Sequence, residues 1–439
     1  MKKYILPILL VAATLLGACS PGQEATPTPE AEATATQAQE APTQGANEAA
    51  DPGIPVANEE NPCLPFSIVD VLLATPYPGL PPVTEDDWAV GPENAAVTFM
   101  EYSELQCPFC AQFEPIITAF QQQYPDDVRI VFRHRPFVET FHDKSILGAQ
   151  ALEAAGKQGK FNEFKNFMFE RQAKNPNNPA VADLADGEFW AGISPDQFDE
   201  WMAERVPELG INADQFLEDM FSAEIEEKIK QKMDEADSLG ISGTPTLLIN
   251  GFLWPEQQRS VELFSIYTEL ILGQEKEYDS CPPTVIDESK EYSAVITTTK
   301  GDIEVDLFAD QAPYAVNSFV FLAREGWYEN MGLFVTEEFA MSGDPTETGF
   351  GGSGYIFLDE DDEDLNFNEA GMLSTYARLG PGLNTSSFFI SRTPLTEQDN
   401  RSIFGKVTAG LDVLDQLILL QEVGAGNMDQ VLSITIIEK

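Results

Sequence analysis

The sequence predicts two folded domains in series, an α/β domain and then a domain of short β-strands, behind an N-terminal segment with no core of its own. Three observations carry this. Around residues 95–120 a β-prone run meets a Cys-x-x-Cys pair and then a segment with helical spacing, and a Pro-opened strand follows at 245–251. After Cys281-Pro282-Pro283 the texture changes to short β-prone runs broken by glycine turns. Residues 20–60 are rich in Pro, Thr, Ala, Glu and Gln and cannot bury enough apolar surface to offset their ordering entropy. A length of 439 residues accommodates two to three domains at about 150 residues each. With 25 Lys+Arg against 73 Asp+Glu the net charge is −48, which excludes a nucleic-acid partner and a basic membrane-surface patch. Only two histidines occur, His134 and His142, so a His-rich metal site is excluded and the last third of the chain has no histidine base.

At the N-terminus, Lys2 and Lys3 precede an apolar run from Tyr4 to Leu16. A bilayer needs about 20 such residues, so the run reads as a signal peptide over 1–19. It ends in Leu16-Gly17-Ala18-Cys19, which resembles a bacterial lipobox with Cys19 as the lipidated residue. An export signal that merely contains a Cys is the other reading. Both place the chain outside the cytoplasm, in an oxidising space, with 20–60 as a tether. The lipobox reading adds attachment to a membrane through the lipid.

Four cysteines remain: Cys63, Cys107, Cys110 and Cys281. The economical pairing is a redox pair at Cys107-Pro108-Phe109-Cys110 and a structural clasp from Cys63 to Cys281, which bracket it. Two free buried thiols at 63 and 281 are the alternative.

Within the first domain, set at 61–285, Ala95–Tyr102 reads as a buried strand and Ala111–Phe120 as a helix, so the pair sits where a strand hands over to a helix. A thiol there feels the positive end of the helix and has a lowered pKa. Attack is assigned to Cys107, as the exposed member, and resolution to Cys110. Val128–Arg133 is a second strand, residues 144–239 carry helical spacing, and Asn250-Gly251 closes a strand opened by Pro245. Zinc is the competing use of a CxxC, but no second CxxC or paired His is present. His134 and His142 read as structural or surface residues, and Arg133-His134-Arg135 as a solvated loop.

Glu101-Tyr102-Ser103-Glu104-Leu105-Gln106-Cys107-Pro108-Phe109-Cys110, then Gln158-Gly159-Lys160-Phe161 and Gly243-Thr244-Pro245-Thr246, resembles the DsbA-like branch of the thioredoxin superfamily over residues 85–275. The resemblance implies a thioredoxin fold with a helical insertion. It also implies a cis Thr244–Pro245 bond lying against the CxxC, where Thr244 and Pro245 receive the substrate backbone beside Phe109. Glu101 stands where a carboxylate in this superfamily assists proton transfer; an ordinary strand-end Glu is the alternative.

In the second domain, set at 290–439, Ala294–Thr299 and Ile303–Phe308 flank a turn, Ala315–Glu325 is helical and Val431–Ile437 is a last strand. Gly301–Phe308, Ala312-Pro313, Val316-Asn317-Ser318-Phe319, Gly343-Asp344-Pro345-Thr346, Gly351–Tyr355, Gly371–Ser374, Ser386–Ser391 and Phe404–Val407 resemble the cyclophilin-type peptidyl-prolyl isomerases in order. This implies a closed eight-stranded β-barrel with two helices. The catalytic positions depart from the family. Its Phe-His-Arg run is matched by the shortened Leu333–Glu338, without Arg. Its two Gln positions fall at or beside Met341 and at Ser387, and the Trp and His of its later loop near Thr396 and Arg401. Losing the Arg removes a group that stabilises the twisted amide. What remains is part of an apolar groove at Phe339, Phe389 and Leu395, with Arg401 as a candidate replacement cation. The acidic run Asp359–Asp364 lacks EF-hand spacing and reads as a solvated loop.

The sequence therefore points to an extracytoplasmic, membrane-anchored thiol–disulfide oxidoreductase. It acts on unfolded or thiol-containing exported proteins with a redox partner that the sequence does not identify, and it uses no metal or cofactor. Its barrel binds peptide and has lost isomerase activity. The rival readings are an active prolyl isomerase with an accessory thioredoxin domain, and a non-catalytic envelope binding protein.

Overall fold

The computed structural model describes residues 55–137, 142–172, 189–254, 258–395, 401–423 and 428–439. The segment read as a signal peptide, Cys19, most of the expected tether and Thr396 lie outside the described residues. The chain divides into two compact units, one of residues 67–277 with 345–351 and one of 278–344 and 352–439 with the stretch ending at Phe66. The boundaries read at 61–285 and 290–439 differ from this division. Residues 61–66 and 278–285 pack with the later unit because strand β1 (Cys63–Pro65) pairs antiparallel with residues 355–357 there. The Tyr278 ring meets that of Phe321 edge-on at 5.2 Å and lies tilted 5.9 Å from that of Trp327, both of the same unit. Cys63 and Cys281 form a disulfide within it. The thioredoxin-type unit is thus an insertion in the chain of the other.

That insertion begins with helix α1 (Ile68–Leu72) and strand β2 (Trp88–Val90). Strand β3 (Val97–Ser103), helix α2 (Pro108–Gln123) and strand β4 (Val128–His134) follow. Both β3 and β4 are buried along nearly their whole length because they lie in the middle of the sheet, paired parallel to each other. The helically spaced stretch becomes α3 (Ser145–Lys157), α4 (Phe161–Glu170), α5 (Phe198–Arg205), α6 (Ala213–Met220) and α7 (Ala223–Ser238). Their shared core holds Phe164, Trp190, Phe198 and Phe216. Strand β5 (Thr246–Ile249) pairs antiparallel with β3 and turns into β6 (Phe252–Leu253). Asn250 and Gly251 both have positive φ, as a tight hairpin turn requires. Sheet order is β2-β4-β3-β5-β6, and α2 packs on α8 (Val261–Gly273) across Phe99, Phe120 and Phe264.

The basic triplet at the end of β4 is not a solvated loop. Arg133, His134 and Arg135 are buried, each against its own acids. Arg133 pairs with Asp87 at 2.9 Å and Glu235 at 3.3 Å, His134 with Glu153 at 2.9 Å, and Arg135 with Asp237 at 2.8 Å. Buried charges persist only when paired in this way.

The other unit contains β7 (Tyr292–Thr298), β8 (Gly301–Leu307), α9 (Pro313–Arg324), β9 (Met331–Gly332), β10 (Phe334–Val335) and β11 (Phe339–Ser342). It continues through β12 (Tyr355–Phe357), β13 (Met372–Thr375), β14 (Phe388–Ser391), β15 (Ile403–Ala409), α10 (Leu411–Gln416) and β16 (Gln430–Glu438). Its main sheet runs β10-β11-β14-β13-β15-β8-β7-β16-β9. The two end strands flank Leu333, so they are one strand interrupted at that residue, and the nine segments make an eight-stranded ring. Inside, Phe319, Phe388 and Phe404 meet at ring-centroid distances of 5.3–5.4 Å. The pair β1–β12 lies outside the ring.

The acidic run is anchored at its start, while Asp361, Glu363 and Asp364 are exposed, as a solvated loop would have them. Asp359 accepts from the backbone of Gly382 and from Asn384. Glu360 accepts from the amides of Tyr314 and Ala315 in the first turn of α9. Among the described residues no group of three or more His, Cys, Asp or Glu is placed to hold a metal ion. No described helix is long and apolar enough to cross a membrane.

Candidate functional site

Strand β3 runs toward the N-terminus of α2, and Cys107 caps that helix with Pro108 in its first turn. Pro fits there because the first helical N–H has no intrahelical partner. Both thiols are free. Cys107 is only 3% exposed, so the expectation that it is the open member of the pair needs correction. Its Sγ lies 3.4 Å from the Thr244 carbonyl, to which the protonated thiol donates. The projecting side chain is Phe109, which is 65% exposed. The Thr244–Pro245 bond is cis. The Pro245 carbonyl accepts from Arg259 Nη2 at 2.7 Å, which fixes the turn that faces Cys107.

The two thiols are driven apart electrostatically. A hydrogen bond from Cys110 pulls the Cys107 thiol down to about 5 against the opposing effect of burial. The Thr244 side chain and the α2 amides of Cys110 and Phe109 add to it. Burial pushes the Cys110 thiol well up, reinforced by its bond to Cys107 and by the charge of Glu101. Glu101 is buried on β3 behind the pair. Burial and the charge of Glu114 push its carboxyl up to about 7, against the opposing pull of Lys165, Ser103 and Arg259. Glu101 therefore titrates near neutrality beside the thiol that must change protonation, which is what a proton-transfer group needs.

Sequence reasoning missed the second layer. Glu114 and Lys165 are both buried and paired at 2.7 Å. Glu114 was within reach of a sequence argument, since it lies four residues after Cys110 on the same face of α2. Lys165 and Arg259 come from α4 and the approach to α8, and no local pattern links them to the cysteines.

In the barrel unit, Phe339, Phe389 and Leu395 share one apolar cluster with Phe367, Met372 and Ile403. Phe389 is not on an open groove: its exposure is 0%. Phe367 stacks on it at 5.6 Å, Phe339 lies at 5.5 Å, and the Arg401 guanidinium covers it at 5.0 Å. The shortened stretch after β10 is a tight turn in which Thr336 Oγ1 accepts from the amides of Glu338 and Phe339. Arg392 Nη1 donates to the Thr336 carbonyl.

Residues 83–266 match the family described as Thioredoxin, and residues 293–438 match that described as Cyclophilin type peptidyl-prolyl cis-trans isomerase/CLD. The "Na(+)/H(+) antiporter NhaA 3" of Salinispora tropica is 33% identical over 171 residues, 39% of this chain and 22% of that protein. This chain thus spans about a fifth of that relative's length. The "Peptidyl-prolyl cis-trans isomerase-like 1" of Rhizopus delemar is 34% identical over 139 residues, 30% of this chain and 84% of that protein. A solved thioredoxin-like oxidoreductase from Silicibacter pomeroyi DSS-3 aligns over 44% of this chain and 95% of its own, with 22% identity and a TM-score of 0.32.

Proposed function

We propose, for a chain that belongs to the cyclophilin-type peptidyl-prolyl cis-trans isomerase family and carries a thioredoxin-like domain before that barrel, a thiol–disulfide oxidoreductase that oxidises exported, thiol-containing proteins and holds them through its barrel. The observation that carries this reading is the opposed shift of the two thiols, Cys107 down to about 5 and Cys110 up, at the start of α2. A thiolate stabilised at Cys107 favours the reduced pair, so the oxidised pair readily gives up its disulfide to a substrate.

The reaction runs from the Cys107–Cys110 disulfide. A substrate thiolate attacks Cys107 Sγ, the S–S bond breaks, and Cys110 leaves with the electron pair and takes a proton from Glu101. The mixed disulfide lies against the backbone of Thr244 and Pro245. A second substrate thiolate attacks the substrate sulfur, and Cys107 leaves as a thiolate. Two substrate thiols have become a disulfide, and the pair has gained two electrons. A thiol-oxidising redox partner restores it.

Cys19 lipidation and residence in the cell envelope belong to this reading, as do unfolded clients. Thr336 stands in the run where the family has arginine, so barrel turnover is slow and peptide binding is its main contribution. The test is a Cys110→Ser chain mixed with an unfolded protein that carries a disulfide, whose S–S bond the Cys107 thiolate breaks as one client sulfur leaves as a thiolate. Cys107 then attacks and cannot be displaced by its neighbour, so mixed disulfides accumulate and are resolved on a non-reducing gel. Their absence, with Cys107 still alkylatable, would make the pair a structural disulfide and overturn the reading.

A further inference from the structure

Glu101 and the thiol it serves are sealed from solvent: Glu101 is 1% exposed and Cys110 0%. Bulk water therefore cannot carry the proton that Cys110 takes up on leaving the disulfide, and a side chain must. Strand β3 offers one. Successive side chains on a strand alternate faces, so Phe99, Glu101 and Ser103 share one face and Met100 and Tyr102 the other. Phe99 meets Phe120 of α2, while Met100 and Tyr102 pack with Ala236 of α7. Glu101 and Ser103 thus face α2, the helix that buries Cys110. Ser103 is fully buried, and neither its hydroxyl nor either Glu101 oxygen makes an aligned hydrogen bond among the described residues. Interior polar atoms normally have a partner. Burial is the main push upward on both the Glu101 carboxyl and the Cys110 thiol, and the Ser103 hydroxyl is near enough to oppose it at each by hydrogen bonding. The other charged groups around this face are engaged elsewhere. Glu114 and Lys165 pair with each other at 2.7 Å, and Arg259 donates to the Pro245 carbonyl. His134, beside Ser103 on β4, has its Nε2 on Glu153.

We propose that Ser103 carries the proton between Glu101 and Cys110. This rests on the oxidoreductase reading of the cysteine pair. A hydroxyl donates one hydrogen and accepts at its lone pairs, so it gives its proton to a thiolate while taking another from a carboxyl. As the Cys107–Cys110 bond breaks, Cys110 Sγ leaves with the electron pair. The Ser103 O–H proton passes to that sulfur, and the Glu101 proton moves to Ser103 Oγ. Ser103 ends as it began, Glu101 is a carboxylate and Cys110 a neutral thiol. When the redox partner restores the disulfide, the same two transfers run backwards. Rotation of the hydroxyl is the one movement required, and no aligned bond has to break for it.

The experiment mixes the oxidised full chain with a reduced dithiol peptide in stopped flow and reads tryptophan fluorescence across pH 5–9. Wild type, Ser103→Ala, Glu101→Gln and the double variant are compared, with the melting temperature of each. Ser103→Ala should slow disulfide opening roughly tenfold or more and flatten the inflection near pH 7. In the Glu101→Gln background it should slow nothing further, because both substitutions cut one path. Slowing by the same factor in both backgrounds makes Ser103 a packing residue, and a wild-type rate in Ser103→Ala gives it no part. Either result overturns the proposal and leaves the oxidoreductase reading standing. A wild type that does not oxidise the peptide removes that reading and the proposal with it. The wild type alone supplies a second measurement, which holds if the Ala variant does not fold. A rate that is the same in H2O and D2O takes proton transfer out of the step that opens the disulfide and overturns the proposal, and a slower rate in D2O supports it.

Discussion

The two units bury polarity differently. The thioredoxin-type unit encloses charges in matched sets: Arg133 with Asp87 and Glu235, His134 and Lys228 with Glu153, and Lys165 with Glu114. The barrel unit builds its interior from aliphatic side chains such as Ile296, Val305 and Leu373 around a few packed rings, Phe319, Phe388 and Phe404, and its apolar cluster from Phe339, Phe367 and Phe389. The contrast fits the chemistry proposed for each. Thiol exchange needs two sulfurs held at different proton affinities, and at Cys107 and Cys110 hydrogen bonds and burial set these first, with the charge of Glu101 adding to the rise at Cys110. Holding an apolar peptide segment needs shape and rings.

The Cys63–Cys281 disulfide is the sharpest test of where one unit ends and the other begins. In the chain-entropy picture a clasp over 218 residues contributes about 5 kcal/mol. That figure holds only if the inserted unit is unfolded when the clasp acts. While the insert is folded, Gln274 bonds Ser67 and Asp70 and keeps its ends together, so the loop being closed is short. The contribution then drops to about 3 kcal/mol or less. A Cys63→Ser/Cys281→Ser chain should therefore lose stability mainly in the barrel transition, by the smaller amount if the units melt separately and by the larger if they melt together. Calorimetry with each transition assigned by its own tryptophans (Trp327 in the barrel unit, Trp88 and Trp190 in the insert) measures it.

Acid should pull the two units apart. Burial pushes Glu153 up, but the hydrogen bond from His134 and the charges of His134 and Lys228 outweigh it and hold its carboxyl at about 2. A group depressed in the fold stabilises above its unfolded value and loses that contribution as pH falls, here from about 4.5 toward 2. In the barrel, burial pushes Glu360 up to about 7 despite the amides of Tyr314 and Ala315. Its contribution is fully present below about 4.5 and is lost as pH rises through 7. Between pH 5 and 3 the insert should weaken while Glu360 costs the barrel nothing. Glu153→Gln leaves Lys228 and any charge on His134 uncompensated, so it should cost the insert about 3 kcal/mol at neutral pH and remove most of its acid sensitivity. Urea melts at several pH values check this, and an unchanged acid limb would show that Glu153 is not the group responsible.

Much of both folds was legible because the signals are local. The strand, the cysteine pair and the helix occur within residues 97–123, and the turn at Asn250-Gly251 announces itself. The order of barrel motifs follows the ring. The misreadings share one cause, contacts between residues far apart in the chain. Cys107 looked open because its cover, Thr244, is 137 residues away. Arg133-His134-Arg135 looked solvated because Asp87, Glu153, Glu235 and Asp237 reach it only through the fold. Phe389 looked like the floor of a groove because nothing local says that Phe367, Tyr376 and Arg401 converge on it. The division into units differs from the early boundary for the same reason, since β1 finds its partner in β12.

The smallest expected effect bears on whether the charges around the cysteines act on rate or only on stability. Glu101 titrates near pH 7 beside Cys110, and burial is the first cause of its shift. If it carries the proton for Cys110, Glu101→Gln should slow mixed-disulfide resolution on the order of 10²-fold. The inflection near pH 7 in the wild-type rate should also disappear. Stability should move the other way. Glu101 is raised in the fold, so its ionisation destabilises the insert as pH rises from about 4.5 through 7, and the neutral Gln escapes that penalty. A slower but more stable variant separates a proton carrier from a packing residue, for which rate would follow stability. Stopped-flow tryptophan fluorescence across pH 5–9 gives the first number and urea melts the second. A rate that keeps its inflection would assign the pH 7 group elsewhere, with Glu114 as the next carboxylate to change.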